Sequence, residues 1–163
     1  MTESSLTQLV NAAVAAKITV ATAESLTGGM VAATLVRVPG ASGMLQGGVI
    51  AYQNEVKERL LGVPPSLLET LGAVDPQVAC AMALGVCAAT GSRVGISTTG
   101  VAGPEPHQGK DVGHVYIGVA LDGEALSYEY HFDGDREMIR TQATQEAISL
   151  LEQVVKAAGE QKL

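Results

Sequence analysis

The sequence contains no tryptophan and a single phenylalanine in 163 residues, and aromatic residues amount to 3%. Single-stranded nucleic acid is held by stacking bases on aromatic side chains, so this scarcity argues against that class of ligand. Cationic residues are also few: ten Lys and Arg stand against 17 Asp and Glu, for a formal net charge of −7. No dense basic patch occurs, which makes duplex DNA a poor ligand. No nucleic-acid partner is expected, and any anionic small molecule must be held by a few local cations or by helix N-termini. There is no apolar run of membrane length and no signal-peptide pattern, so no membrane contact and a cytoplasmic location are expected. Cysteine is limited to Cys80 and Cys87, which fall within one apolar helical pattern. Two helical turns separate them by about 10 Å, too far for an undistorted disulfide, so buried free thiols are expected.

What the chain has is small apolar residues. Apolar types make up 47% of it, with alanine and valine dominant. A core of small side chains suits helices lying close on a sheet, and the length suits one domain over residues 1–163. The stretch TESSLTQLVNAAVAAK places Leu6, Leu9, Val10, Ala13 and Val14 on one helical face, with Thr2 or Ser4 as a cap. ITVATAE reads as a strand and GGMVAATLVRV as a helix ended by Pro39-Gly40. QGGVIAYQ is a second strand. Asn54 is placed to cap EVKERLLG, which Gly62 stops, and another short helix starts at Pro65. Asp75 caps PQVACAMALGVCAATG, with Pro76 in the first helical position.

SRVGISTTG is the third strand, and the Gly- and Pro-rich VAGPEPHQGKD is a loop. VGHVYIGVAL and EALSYEYHF form a hairpin through Asp122-Gly123. The last helix starts near Asp135, with Ile139, Ala143, Ala147, Leu150 and Leu151 along one side, and residues 160–163 are expected to fray. The resulting order, α-β-α-β-α-α-α-β-β-β-α, predicts an α/β fold: a three-layer α/β/α sandwich on a mixed, mostly parallel five-stranded sheet.

Four stretches offer chemistry. TAESLTGG enters a helix directly from a strand, where backbone N–H groups and the positive end of the helix dipole are available. Ser25 there is a candidate nucleophile, with an oxyanion site near Thr27, Gly28 and Gly29. Alternatively Ser25 or Thr27 is only a cap and the glycines only permit close packing. In AYQNEVKERLLGV, Tyr52 ends a strand and Lys57 falls in the first helical turn, where the dipole opposes a cation. Burial there would favour a neutral amine, able to act as a general base; a solvated Lys57 among Glu55, Glu58 and Arg59 is the plainer alternative. Thr99 and Gly100 end the third strand at the same sheet edge, before a loop long enough to be functional. Arg136 and Arg140, at i and i+4, could grip a phosphate or simply pair with Asp135 and Glu137. His107, His114 and His131 show no ligand spacing, so no metal is expected. Met30, Met44, Met82 and Met138 read as core filler.

Taken in order, TAESLTGG, AYQNEVKERLLGV, GAVDPQVACAMA, TGVAGPEP through GKDVGHVYIGVA, and GDREMIR resemble the CinA C-terminal domain family over about Leu6 to Val155. That family includes stand-alone nicotinamide mononucleotide (NMN) deamidases. The resemblance implies an amidohydrolase that needs no cofactor and converts NMN to nicotinate mononucleotide and ammonia in pyridine nucleotide salvage. It places Ser25 on the nucleophile, Lys57 on its paired lysine, Tyr52 on a nearby tyrosine that could relay or orient the proton, and Arg140 on a phosphate-binding arginine. Thr99 stands where the family commonly has serine, and would bond the substrate or the Lys57 amine. Leu26 replaces a frequent cysteine, Asp75 replaces a frequent serine, and the 104–111 loop lacks the usual double glycine. Family members are often oligomeric, so a homo-oligomer, a dimer above all, is expected. A nucleotide-binding regulatory module without turnover, or a serine amidase of another small substrate, are the alternatives.

Overall fold

The structure, a computed structural model, describes residues 3–160. Its elements are α1 (Glu3–Ala16), β1 (Val20–Glu24), α2 (Met30–Leu35), a 3-10 turn at Ala41–Gly43, β2 (Leu45–Ile50), α3 (Asn54–Leu61), α4 (Pro65–Leu71), α5 (Pro76–Thr90), β3 (Val94–Gly100), β4 (His114–Leu121), β5 (Glu124–His131) and α6 (Arg136–Glu160). The strands form one sheet in the order β2-β1-β3-β4-β5. β1 is parallel to both β2 and β3, whereas β3 pairs antiparallel with β4 and β4 with β5. Four strands therefore run one way and β4 alone is reversed.

Helices cover both faces. Leu9, Val10, Val31, Ile139, Ile148 and Leu151 of α1, α2 and α6 pack on one side, against Val20, Ile96, Val115 and Ile117 of the sheet. Leu61, Leu68, Val78, Met82 and Val86 of α3, α4 and α5 pack on the other, against Ala21 and Ala23. The small residues do here what the composition suggests. A β-carbon on Gly118 would run into Ala79 O of α5, and one on Gly95 would run into Ala83 O and meet Cys87 Sγ at 2.7 Å. α5 thus lies too close to β3 and β4 for side chains at those two positions. Ser97, between them, donates its hydroxyl to Ala79 O of α5 at 2.6 Å.

Most boundaries follow local signals. Asp75 accepts from Gln77 N at 2.7 Å with Pro76 at the first helical position, and Gly62 closes α3 in the left-handed region. Asp122 (φ 51°) and Gly123 (φ 89°) make the tight hairpin turn. Asp135 caps α6 by accepting from Met138 N. Three boundaries differ from expectation. α2 ends at Leu35, because Arg37 N and Val38 N bond three residues back, so the apolar pattern continues as tighter turns. Asn54 is the first residue of α3 rather than its cap; Gln53 holds the cap position in an extended conformation with no side-chain bond. Glu3 is already helical, so Ser4 lies inside α1, and Thr2 is outside the described residues. Gln161 to Leu163 are also outside them, while Glu160 is the last helical residue.

Side-chain placement corrects two further expectations. Cys80 and Cys87 are free thiols but only partly buried, and burial still pushes the Cys87 thiol pKa up. Met44 and Met82 are core residues, whereas Met138 is 54% exposed, on the solvent side of α6. No helix among the described residues is long and apolar enough to cross a membrane.

Candidate functional site

β1 ends between two parallel neighbours, and the connections on its two sides leave toward opposite faces of the sheet. In open α/β sheets such a switch point opens a crevice beyond the carboxyl ends of the strands. A cleft of about 590 Å³ lies there, within the range of small-molecule sites. Its walls are Ser25 and Leu26 after β1, the start of α3, Thr99 and Gly100 at the end of β3, the 101–108 loop, and Arg136 of α6.

Successive residues of a strand face opposite sides. Glu24 turns toward α2. Ser25, its main-chain N–H held by Thr98 O at 2.9 Å, turns toward α3. There it meets Lys57, whose Nζ lies 3.5 Å from Ser25 Oγ. Lys57 is 1% exposed, an unusual state for a lysine, and desolvation lowers its pKa to about 8. Among the described residues no carboxylate pairs with its ammonium. Its other partners are two main-chain carbonyls, Ala51 O at 2.8 Å and Tyr52 O at 3.3 Å. A neutral amine has two N–H donors and one lone pair. With both donors given to these carbonyls, the lone pair is left for the Ser25 hydroxyl.

The glycine turn serves a different purpose from that expected. Glu24 is buried, and its carboxylate accepts from Thr27 Oγ1 (2.6 Å), Gly29 N (2.9 Å), Val31 N (3.1 Å) and Ala32 N (2.9 Å). The free donors at the start of α2 are thus consumed by a carboxylate of the chain itself. Gly28 (φ 56°) and Gly29 (φ 101°) let the backbone fold around that carboxylate. The Gly28 N–H is taken by Ser25 O at 3.1 Å. Thr27 is buried and shares its hydroxyl with Thr98 Oγ1 at 2.8 Å. Thr27, Gly28 and Gly29 stand behind the turn that carries Ser25 and do not line the cleft. The N–H groups of Leu26 and Thr27 meet no acceptor among the described residues, and Leu26 is on the cleft wall.

The two arginines divide. Arg140 donates to Leu26 O at 2.8 Å and Thr27 O at 3.3 Å, bracing the turn from the α6 side, away from the cleft wall. Arg136 is on the wall. It donates to Gly103 O at 2.7 Å and to the Tyr52 phenol at 2.8 Å, and its guanidinium keeps other donors for a ligand. Tyr52 thereby contributes its carbonyl to Lys57, while its phenol bonds Arg136 and not the Ser25–Lys57 pair. Thr99 and Gly100 line the cleft. The Thr99 hydroxyl donates to Ala73 O at 2.7 Å rather than contacting Lys57. A β-carbon on Gly100 would strike Val115 Cγ2 at 2.6 Å, so no side chain narrows the cleft there.

A family model described as the CinA C-terminal domain matches residues 2–155. The chain belongs to the CinA C-terminal domain family. A relative from Desulforamulus reducens is 47% identical over 135 residues, covering 83% of this chain and 33% of that one. The CinA-like protein of Frankia casuarinae is 44% identical, covering 84% of this chain and 32% of its own length. The chain thus spans about a third of the curated relatives it matches. Solved structures align nearly end to end: a CinA superfamily protein from Klebsiella pneumoniae superposes with TM-score 0.90 at 28% identity, covering 94% of this chain and 97% of that one. A competence/damage inducible protein from Agrobacterium tumefaciens gives TM-score 0.82 at 32% identity over 90% and 93% of the two chains.

Sequence reasoning missed Glu24, which looks like an ordinary strand end; its spacing to Gly29, Val31 and Ala32 is the only signal. It also missed a cluster outside the cleft. His114 and His131 are directly opposed on β4 and β5, with Glu129 beside them. The two-residue turn at 122–123 fixes that register, so the pairing could have been counted from the hairpin.

Proposed function

We propose that this CinA-family chain is a serine–lysine amidohydrolase whose substrate is NMN. The carrying observation is the buried Lys57 amine, 3.5 Å from Ser25 Oγ and held by two carbonyls that leave its lone pair for the serine. Neutral Lys57 takes the Ser25 proton as Ser25 Oγ attacks the carboxamide carbon. Leu26 is on the cleft wall and its N–H meets no acceptor among the described residues, so it is the donor assigned to the developing oxyanion; each such donor is worth about 2.7–4 kcal/mol. Protonated Lys57 then gives the proton to the departing ammonia, and water admitted from the open cleft attacks the ester, with Lys57 taking a proton from the water and returning it to Ser25 Oγ as the acyl–oxygen bond breaks.

Arg136, not Arg140, is the residue suited to an anionic phosphate, because it faces the cleft with donors to spare. Its two existing bonds, to Gly103 O and Tyr52 Oη, aim the guanidinium across the mouth. This is how a chain of net charge −7 accommodates an anion: one oriented cation suffices. Thr99 and Gly100 shape the floor. Ammonia release from NMN, nicotinamide riboside and nicotinamide by the purified protein tests the reading. NMN turnover well above that of the other two is expected, and equal turnover of NMN and the riboside would remove the phosphate contact from the account.

A further inference from the structure

We propose that His114, Glu129 and His131 form a binding site for a divalent cation of the zinc class, on the β4–β5 hairpin and separate from the Ser25 cleft. Three features of the geometry carry it. The residues converge: His114 Nε2 lies 2.7 Å and His131 Nε2 3.5 Å from the same oxygen, Glu129 Oε1, and all three ligand atoms lie within 4.8 Å of one another. Tetrahedral zinc with bonds of about 2.0–2.1 Å needs ligand atoms about 3.3 Å apart. The His131 distance already fits, and the His114 distance is a hydrogen bond that opens by about half an ångström as the ion replaces its proton.

The positions are also fixed by the backbone. Phe132 N donates to Gly113 O at 2.9 Å, which makes 113 and 132 the hydrogen-bonded pair. His114 and His131 are therefore a non-hydrogen-bonded pair, the kind in which opposed side chains come closest. Their rings lie with centroids 4.4 Å apart and planes tilted by 33°. The same Nε2 atoms that can donate N–H bonds to the Glu129 oxygen can, once they give up those protons, share a divalent ion with it.

Outer partners are in place as well. The Tyr116 phenol donates to Glu129 Oε1 at 3.0 Å, and Lys110 Nζ sits 5.8 Å above the Tyr116 ring. Such contacts orient a metal-binding carboxylate. His114 is nearly buried whereas Glu129 and His131 are exposed, so the inner side of the site is fixed and the outer side is open to water as a fourth ligand. Two imidazoles with one carboxylate select Zn²⁺, Ni²⁺ or Cu²⁺ over Mg²⁺ or Ca²⁺. The site lies at the base of the 101–113 loop, through the bonds from Val101 N to His114 O and from His114 N to Asp111 O. An ion there would tether the wall of the cleft.

Isothermal titration of the chelator-treated protein with Zn²⁺, together with its melting temperature with and without Zn²⁺, tests this. We expect one ion per chain with a Kd of about 10 μM or tighter, a higher melting temperature with the ion, and binding at least about tenfold weaker in His131→Ala and Glu129→Gln. His107→Ala, which removes the remaining histidine, should bind as the parent does. Both test side chains are exposed, so these variants retain the fold. Affinity no better than about millimolar, or unchanged binding in His131→Ala, would overturn the proposal.

Discussion

Glu24 and Lys57 are two buried charged side chains on opposite faces of one strand end, and their surroundings differ in kind. Glu24 is saturated: a hydroxyl and three main-chain N–H groups satisfy its carboxylate. Lys57 is left with two carbonyls and a serine, and no carboxylate pairs with it among the described residues. A buried charge that is fully paired holds structure together, whereas one denied a counter-ion is pushed toward its neutral, reactive form. The difference separates scaffold from chemistry across a single peptide bond, because Glu24 and Ser25 are neighbours that face opposite ways.

The largest expected effect breaks the Lys57 side. Lys57→Met should lower kcat for NMN by at least about a thousandfold. The same change should stabilise the fold. The folded pKa of about 8 lies below the ordinary 10.5, so the unfolded chain binds the proton more tightly and stability rises between pH 8 and 10.5 as both states lose it. Below pH 8 the cost of burying this charge is present in full, on the order of 3 kcal/mol. Lys57→Met is therefore expected to melt higher than the parent at pH 7, and the gap should close above pH 10; a lower melting temperature at pH 7 would contradict the unpaired reading.

Breaking the Glu24 side should act in the opposite sense. Glu24→Gln offers an amide NH₂ to main-chain donors that need acceptors. A loss of about 2–3 kcal/mol, or roughly 4–12 °C in Tm, is expected by thermal melting. Smaller again is the contrast between the arginines. Arg136→Met should raise KM for NMN about tenfold or more while leaving KM for nicotinamide riboside nearly unchanged. Arg140→Met should lower Tm by a few degrees, about the loss of two charge-assisted hydrogen bonds, with little change in the ratio of the two KM values. The smallest effect is on pH: kcat/KM should rise with pH through a midpoint near 8 and level off about one unit above it, following the free Lys57 amine.

The order of elements was legible because boundaries carry local chemistry: Asp75-Pro76, Gly62 and Asp122-Gly123 each enforce a cap or turn regardless of what packs against them. The end of α2 was not, since its apolar periodicity runs on through residues that adopt tighter turns. Within the site, Lys57 was conspicuous as a lysine in a first helical turn, and Ser25 as a serine at a strand end before glycines. The resemblance put the phosphate on Arg140, and spacing alone could not prefer Arg136, because both lie on one face of α6. Which one reaches the cleft depends on how that helix crosses the sheet. Glu24 was hidden for a related reason: its partners come from a chain reversal that no periodicity encodes. The histidine pair was hidden only by not counting outward from the hairpin turn.

The central claim is that Ser25, activated by Lys57, is the nucleophile. Ammonia release from NMN at pH 8 by the parent and by Ser25→Ala, with unchanged circular dichroism, tests it most directly. A fall of at least about a thousandfold in Ser25→Ala is predicted, and release at the parent rate would contradict it.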